Sequence, residues 1–459
     1  MSAAKAAPGP RGPAAYEFFA GGRRTLEFLE RTAQRYGPVA GFRLGGRPIY
    51  LLDDAELIEE VLVTAQHRYG RDTGALLVRD LVGEALVSSE DPAHVRRRRL
   101  MQPAFHRARV ATYAAAMVGE TERLARVWEE RALIDVGDEM TRLTLGVVGE
   151  ALLGADVGER AREVAGIVAR VIRRGALAGP AVALAAPLLE SLRRRFPERA
   201  SLLFPREREA LERIVAPLIE ARRGDHAQRS DLLSSLMQAR DADGSALDDA
   251  DLRNELVTLI LAGHETTATA LTWTWYVLAT HPVVEARLHA ELDAVLGDRA
   301  PSLEDLPQLR YASNLFDEVL RLYPPAPVFG RRPLEDVELG GYRIERMASV
   351  VLSPYVTQRN PRYFADPLAF KPERWEGEAP PKCAFFPFGA GSKTCIGEPF
   401  ARLEGVLVLA TLARRYRLRL LVDRPLPLSS QGLLRPGRPI VMRTERRRAG
   451  SLNSFVHSA

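Results

Sequence analysis

The sequence predicts a mainly helical protein with small antiparallel β-sheets, and three observations support this fold class. Apolar residues recur with helical periodicity from about residue 55 to 279 and again from 282 to 322. Short alternating segments with glycine turns precede and follow these blocks, as expected of small sheets. Neither an internal repeat nor a linker divides the chain, so we expect one domain over 1–459.

The elements follow in a clear order. Residues 38–52 read as two short strands around a Gly-Gly turn. Helices then dominate, with loops such as 69–93 between them. From Leu334 onward, alternation and turns predict a small antiparallel sheet. A Pro- and aromatic-rich stretch then leads into an apolar helix at about 396–415.

The composition excludes several classes of protein. The 459 residues are 46% hydrophobic and 27% charged, which fits a globular chain with a large core rather than a disordered one. A net charge of +5 is too small to predict nucleic-acid binding without a local motif. The two cysteines, Cys383 and Cys395, form neither a disulfide framework nor a CxxC pair, which favours a reducing compartment such as the cytoplasm.

The ends of the chain and its most apolar segment bear on membrane attachment. Residues 1–25 lack the apolar run of a signal peptide or anchor, so we expect an extended leader, and 445–459 should form a disordered tail. Segment 257–279 is long enough for a bilayer, but it contains His264, Glu265 and six threonines. We interpret it as a buried central helix with a polar interruption.

The sharpest local signal is FPFGAGSKTCIGEPFARLEG at 386–405, where glycines surround Cys395 directly before a helix. Glycines let a flat ligand approach the main chain, and free N–H groups at a helix N-terminus stabilise a thiolate. A glycine-rich turn with a buried cysteine is the simpler alternative. GAGSKT also hints at a phosphate loop, but Ser392 separates the lysine from the glycine.

Four motifs together resemble the cytochrome P450 superfamily, and they occur in that family's order. They are Ala262-Gly-His-Glu-Thr-Thr267, Glu318-Val-Leu-Arg321, Phe370-Lys-Pro-Glu-Arg-Trp375 and Phe388-Gly-x-Gly-x-Lys-x-Cys395-x-Gly397. E-x-x-R alone would mean little, because it occurs by chance on many helices. The resemblance runs from about residue 30 to 440 and implies the cytochrome P450 fold.

The resemblance implies haem b (iron protoporphyrin IX) as the cofactor and Cys395 as its axial thiolate ligand, with Phe388 and Gly391 in the cofactor-binding loop. Cys383 lies outside the motif, and we interpret it as structural.

The same family pattern assigns partners to the haem propionates. His94 and Arg98 occupy the C-helix positions, Arg331 a second propionate site and Lys393 the position two before the cysteine. Arg332, the next residue after Arg331, is the alternative candidate for this second propionate contact. Lys393 stands where arginine or histidine is commoner in the family, and we expect a looser propionate contact because lysine lacks a planar guanidinium fork.

In the family, Glu318 and Arg321 form a buried triad with Arg374 that supports the cysteine loop. A surface i,i+3 ion pair is the alternative. Gln358 stands where the family often has histidine, and the sequence does not assign its consequence.

The pair Glu265-Thr266 interrupts an apolar helix, where an acid and a hydroxyl cost free energy unless they are satisfied or used. Thr266 could simply bond back to the carbonyl four residues earlier. The resemblance implies instead that the helix kinks over the haem, with Thr266 helping to deliver protons to dioxygen and Glu265 relaying them from water. His264 occupies a variable motif position and receives no ligand role.

The resemblance implies a monooxygenase that inserts one oxygen atom of O2 into a lipophilic small molecule. Electrons would come from a separate ferredoxin or flavodoxin with its reductase, since 459 residues leave no room for a fused one, and the enzyme would be cytoplasmic. The arginine run at 96–99, with Arg107 and Arg109, predicts a docking surface for an acidic partner rather than for nucleic acid.

Two other functions remain as alternatives: a relative that uses peroxide or rearranges its substrate, and a haem-thiolate sensor. The Glu265-Thr266 pair argues against both, because neither needs residues that activate dioxygen. In the family, substrate contacts come from about 70–93 and 165–205, which are apolar here. A fatty acid, a terpenoid or a polyketide-like molecule would suit these segments.

Overall fold

A computed structural model describes residues 5–447, apart from 20–21, 45, 73, 155–162, most of 169–200, 202, 225–230, 242, 423–425 and 431. Within this part, the helices are α1 (Gly22–Tyr36), α2 (Ala55–Glu59), α3 (Gly74–Val82), α4 (Ala93–Met101), α5 (Arg107–Ala111), α6 (Ala114–Trp128), α7 (Val136–Val147), α8 (Pro205–Arg223), α9 (Leu232–Gln238), α10 (Asp249–Thr280), α11 (Pro282–Val295), α12 (Arg310–Leu322), α13 (Pro354–Thr357) and α14 (Glu398–Arg415).

The strands are short. They are β1 (Val39–Leu44), β2 (Arg47–Leu52), β3 (Tyr69–Arg71), β4 (Leu133–Asp135), β5 (Phe329–Pro333), β6 (Val337–Leu339), β7 (Tyr342–Ile344), β8 (Ser349–Leu352), β9 (Tyr416–Leu420), β10 (Leu428–Ser429), β11 (Arg435–Pro436) and β12 (Val441–Arg446). They form a five-stranded sheet in the order β1-β2-β8-β5-β3, a three-stranded sheet β4-β12-β9 and the pairs β6-β7 and β10-β11.

The predicted fold class is confirmed: a large helical body carries small sheets that are mostly antiparallel. The two strands expected in 38–52 form the β1-β2 hairpin, and the sheet expected after Leu334 includes the β6-β7 hairpin. One difference is that β2 pairs with β8 in parallel. The helical body lies between these strands in the chain and provides the long crossover that a parallel pair needs. The loop expected at 69–93 also contains β3 and α3.

The N-terminal segment differs from the sequence-based expectation, and most of the C-terminal tail lies outside the described residues. The leader expected to be extended over 1–25 contains the 3-10 helix Gly12–Phe19, and α1 begins at Gly22. Aromatic packing explains the difference, because the Phe18 ring lies 5.8 Å from that of Phe42. Strand β12 ends at Arg446, and the tail at 445–459 lies almost wholly outside the described residues, so its disorder stays a prediction.

Helix α10 is the central element of the body, and most of its 32 residues are buried. The Asp248 side chain caps its N-terminus by accepting from the amide of Asp251 at 2.7 Å. Its buried threonines, such as Thr272 and Thr274, donate to the carbonyl four residues earlier, which satisfies their hydroxyls inside the core. In the described part of the chain, no helix combines the length and the apolarity needed to cross a bilayer.

A buried carboxylate joins α12 to the segment that leads into the cysteine loop. Glu318 accepts two hydrogen bonds from Arg321, both at 2.8 Å, and both side chains are completely buried. The Arg374 guanidinium donates to the same carboxylate at 2.9 Å, the Lys371 amide at 2.9 Å and the Trp375 indole at 3.1 Å. The triad is therefore confirmed, and the alternative of a surface ion pair is excluded.

The structure also gives Gln358 a function that the sequence did not. Its amide nitrogen donates to the carbonyls of Leu320 and Arg321 at 3.0 and 2.9 Å, where α12 ends. Its amide oxygen accepts from the backbone N–H of Phe386 at 3.0 Å. The side chain thus satisfies two free carbonyls of α12 and ties them to the start of the cysteine loop.

We expect Arg321→Ala to lower the free energy of unfolding by about 3–5 kcal/mol, because it leaves the Glu318 carboxylate buried with fewer charge partners. Thermal and denaturant unfolding measure this loss. Arg310→Ala is the matched control, since Arg310 is exposed at the start of the same helix. Equal stability of Arg321→Ala and Arg310→Ala would contradict a supporting role for the triad.

Candidate active site

The glycine-framed loop before α14 holds Cys395 in a fixed backbone conformation. The Cys395 amide donates to the Phe388 carbonyl at 2.9 Å and closes the loop. Gly389 and Gly391 both have φ at +73°, where a side chain would be strained. At Gly391 a Cβ would also collide with the carbonyl oxygen of Leu62. The backbone conformation therefore requires glycine at both positions, and the contact with Leu62 is a second reason at Gly391.

The thiol of Cys395 lies at the N-terminus of α14. Burial by surrounding protein raises its pKa, while the backbone N–H groups of Gly397 and Glu398 and the Arg98 guanidinium act in the opposite direction. The residue nevertheless has a large accessible surface. These N–H groups favour the anion that a metal-ligating cysteine must become.

Cys383 has a different environment. It is 4% exposed and packs in an apolar cluster with Leu62, Leu352 and Phe386. Burial raises the pKa of its thiol to about 11. These features fit the structural role expected for it, since a protonated buried thiol behaves as a small apolar side chain.

Cationic side chains from three parts of the chain converge beside Cys395. His94 and Arg98 lie on α4, Arg331 on β5 and Lys393 in the loop itself, so the predicted positions come together in space. Arg98 donates to the Thr394 carbonyl at 2.7 Å. The Lys393 ammonium lies 3.4 Å from an Asp91 oxygen, although its side chain is only 6% exposed.

Sequence reasoning missed one member of this cluster, Arg71. It lies on β3 directly opposite Arg331 in the β3-β5 pair, and it donates to the carbonyls of Leu86 and Ser89, both at 2.9 Å. No motif marks this residue. The one available signal was its position at the start of the segment expected to contact substrate.

The charges of the cationic residues beside the cysteine loop favour the binding of an anion. Burial lowers the pKa of Arg331 to about 10, and repulsion by Arg71 is the next largest cause, ahead of the attraction by Asp72. Burial also lowers the pKa of His94 to about 4, and the charges of Arg71 and Lys393 add to this effect. Buried like charges are costly until an opposite charge arrives, so the cluster fits the carboxylates of a haem.

The adjacent arginine, Arg332, is placed differently. It lies opposite Gly70 in the same strand pair, and its guanidinium is 4.0 Å from a Glu90 oxygen. Arg331 is therefore the better candidate for an anionic cofactor group.

The middle of α10 carries the residues that the sequence predicts to be catalytic. Ala262 is exposed and Thr266 is half-buried, although they lie among buried residues of a core helix that packs against α14. The Thr266 hydroxyl donates to the Ala262 carbonyl at 2.9 Å. The bond back to the helix is thus present, and the hydroxyl remains accessible.

The Glu265 carboxylate contacts other side chains, whereas the Thr266 hydroxyl bonds to the backbone of its own helix. Its carboxylate forms an ion pair with Arg435, which lies 170 residues further along the chain, and one oxygen is 3.5 Å from Nε2 of His264. Burial raises the pKa of Glu265, but the contacts with His264 and Arg435 outweigh burial and hold it below its ordinary value. The sequence analysis identified Glu265 as a candidate residue, but it did not identify Arg435 as its ion-pair partner.

The arginine run at 96–99, for which the sequence predicts a docking surface for an acidic partner, is partly paired with acidic residues of the protein itself. Arg97 is buried and paired with Asp251 and Glu255. Both Arg96 and Arg99 contact Asp241. Pairing neutralises much of the expected charge, because the acids come from segments far away in the sequence.

A surface pocket of about 850 Å³ remains next to the cysteine loop, lined by residues including Arg98, Arg99, His106, Arg109 and Ser392.

The substrate segments are only partly described. Within 70–93, α3 packs against α8 and α10. Most of 165–205 lies outside the described residues, so its contribution to a substrate pocket stays a prediction. Across the described residues, no group of three His, Cys, Asp or Glu side chains could hold a metal ion.

Comparisons with known proteins agree with this site. The family model described as cytochrome P450 matches residues 8–443. Cyclooctatin synthase of Streptomyces melanosporofaciens is 39% identical over 86% of each chain. Cyclooctat-9-en-7-ol 5-monooxygenase of the same organism is 35% identical, also over 86% of each chain. Pentalenene oxygenase of Streptomyces avermitilis is 34% identical over 89% of this chain and 90% of its own.

The family binds haem b through a cysteine thiolate. The match covers nearly the whole described fold and includes the cysteine loop, the triad and the middle of α10. The chain therefore belongs to the cytochrome P450 family and is a cytochrome P450 monooxygenase.

Proposed function

We propose that this monooxygenase oxidises a terpenoid. The observation that carries the proposal is the 34–39% identity to the bacterial enzymes named cyclooctatin synthase, cyclooctat-9-en-7-ol 5-monooxygenase and pentalenene oxygenase, which are terpenoid-oxidising proteins. The apolar segments 70–93 and 165–205 suit a lipophilic hydrocarbon skeleton. The relatives favour this class over the fatty acid and polyketide alternatives.

Cys395 would hold the haem by binding its iron through the thiolate. The N–H groups of Gly397 and Glu398 would stabilise its thiolate, and Gly391 and Phe388 would keep the loop close to the cofactor. When bound, haem with a thiolate ligand activates dioxygen, since the sulfur favours cleavage of the O–O bond.

The cations at the edge of the site would hold the two propionates. His94, Arg98, Arg331 and Lys393 take this role in the proposal, and Arg71 joins them because it lies opposite Arg331. His94 would act as a neutral donor, given its low pKa, whereas the arginines supply charge.

Glu265 and Thr266 would be the catalytic residues. Insertion of one oxygen atom of O2 into a C–H bond consumes two electrons and two protons, and the second oxygen leaves as water. The accessible Thr266 hydroxyl would hold and pass a proton on the substrate side of α10. Glu265 would bring that proton from water.

The electrons would come from a ferredoxin or flavodoxin with its reductase. The pocket that includes His106 and Arg109 lies beside the loop that carries Cys395, so an acidic donor docked there would be close to the haem. Both cysteines are free thiols, which fits a reducing compartment such as the cytoplasm.

A substrate titration tests the proposal. We expect pentalenene and cyclooctat-9-en-7-ol to shift the Soret band of the ferric protein towards shorter wavelength. The reason is that a substrate bound next to the haem displaces water from the iron. Palmitic acid is the control for the fatty acid alternative. A shift with palmitic acid and with neither terpenoid would contradict the proposed substrate class.

Cys395→Ala should abolish the red-shifted Soret band of the ferrous carbon monoxide complex, because that band requires a thiolate ligand. Cys383→Ala is the matched control and should keep the band, since Cys383 packs in an apolar cluster. Absorbance spectra of both variants, with haem content measured in parallel, decide the matter. Retention of the band in Cys395→Ala would refute the ligand assignment.

Thr266→Ala should still consume reducing equivalents but release more hydrogen peroxide and less product per electron. A proton-holding hydroxyl of this kind contributes about 10²–10⁴-fold to rate. Thr274→Ala is the matched control, since both hydroxyls donate to the carbonyl four residues earlier at 2.9 Å. Equal coupling in Thr266→Ala and Thr274→Ala would return Thr266 to a role in helix packing.

A further inference from the structure

The segment between α9 and α10 places a carboxylate against the arginine run of α4. Asp241 begins a turn in which its N–H donates to the Ser245 carbonyl at 2.8 Å and its carbonyl accepts from Gly244 at 2.9 Å. One carboxylate oxygen is 3.5 Å from Nε of Arg96, and the other contacts the guanidinium of Arg99. The Asp241 side chain is only 6% exposed. The turn therefore fixes this acid against both arginines.

The two arginines differ in how firmly they are held. Arg96 also donates to the Ser245 hydroxyl and to the Ala246 carbonyl, both at 3.0 Å. Arg99 is 59% exposed, and within the described part of the chain it makes no second ion pair or hydrogen bond. An ion pair with one partner so exposed to water is weak. Arg99 can therefore leave Asp241 at a small cost in free energy, while Arg96 stays to neutralise the buried carboxylate.

The same Arg99 lines the pocket beside the cysteine loop, together with His106 and Arg109. Val95, one helical turn earlier, is 50% exposed and lines this pocket too. Apolar surface among cations suits the contact face of an acidic protein. Arg109 donates to the neutral hydroxyl of Ser235 at 3.3 Å, and no acid among the described residues pairs with it. Two cations of the pocket thus differ, because an internal acid neutralises Arg99 and not Arg109.

We propose that Asp241 masks Arg99, so that an acidic electron-transfer protein gains this contact only when one of its own carboxylates replaces that of Asp241. The proposal rests on the proposed function, since it takes the pocket beside the cysteine loop as the place where the donor docks. The exchange gives Arg99 one carboxylate for another and leaves Asp241 paired with Arg96. A protein that is acidic but has no carboxylate at this place gains nothing from Arg99, so the mask makes docking selective.

Dissociation of a docked donor tests the mask, because direct contacts act mainly on dissociation and distant charges on association. The probes are an acidic plant-type ferredoxin and a flavodoxin, each bound to the haem-loaded protein. We use about 0.15 M salt, where the screening length is about 8 Å and distant charges act little. Asp241→Asn should bind a donor about 2- to 5-fold more tightly, through slower dissociation, because Arg99 becomes free to contact it.

Asp243→Asn is the matched control. Asp243 is exposed in the same turn, and its side chain accepts from the Ser245 N–H at 2.9 Å. Both variants raise the net charge by one, so both should speed up association at low salt to a similar extent. Only Asp241→Asn should slow dissociation. Equal dissociation rates of the two variants would overturn the proposal.

Arginine variants provide a second measurement that does not depend on Asp241→Asn alone. In the otherwise unchanged protein, Arg109→Gln should speed up dissociation more than Arg99→Gln does, because only Arg99 is already neutralised. Combined with Asp241→Asn, Arg99→Gln should cancel the whole gain in affinity, and this coupling is what simple addition of charges does not produce. Haem content and thermal unfolding show whether each variant is folded. Equal effects of Arg99→Gln with and without Asp241→Asn would contradict the mask.

The outcomes separate this proposal from the proposed donor. If a donor binds and Asp241→Asn dissociates like Asp243→Asn, the mask is overturned and the docking site stands. If neither ferredoxin nor flavodoxin binds the unchanged protein or Asp241→Asn, the acidic donor is wrong and the mask is wrong with it. Binding to Asp241→Asn alone would support the mask in its strongest form.

Discussion

The buried carboxylate of Glu318 is the constraint on which the rest of the site depends. It receives two guanidinium groups, a backbone amide and an indole N–H, so every lone pair that burial removes from water is used. These donors come from α12 and from residues 371–375, two parts of the chain that are about 50 residues apart in the sequence. Gln358 extends the network to Phe386, where the cysteine loop begins. The position of Cys395 is thus set by polar contacts behind the loop.

The site combines this rigid support with electrostatic strain that a cofactor can relieve. Arg71 and Arg331 face each other across a strand pair, and burial makes both guanidinium groups less favourable as cations. An anion placed between such groups gains more than it would on the surface, because the protein has already removed water from its partners.

Helix α10 separates two environments with consecutive residues. The Thr266 hydroxyl is accessible, while the carboxylate of the preceding residue, Glu265, is largely buried in an ion pair with Arg435. A helical step of 100° per residue is enough to place neighbouring side chains on different faces. The other threonines of the helix bond to its own backbone, which lets a polar sequence lie inside an apolar body.

The sequence by itself determined the features that depend on short spacing: the glycines around Cys395, the pairing of Glu318 with Arg321 one turn apart, the hairpin at 38–52 and the acid next to Thr266. These follow from local backbone geometry, which a few consecutive residues specify. Only the tertiary structure decided the partners that arrive from elsewhere, such as Arg71 opposite Arg331 and Arg435 on Glu265. It also showed that Arg97 is buried by Asp251, 154 residues further along, rather than displayed to a partner. The reason is physical: whether a charge is solvated or buried depends on which distant segment packs over it, and no local pattern contains that information.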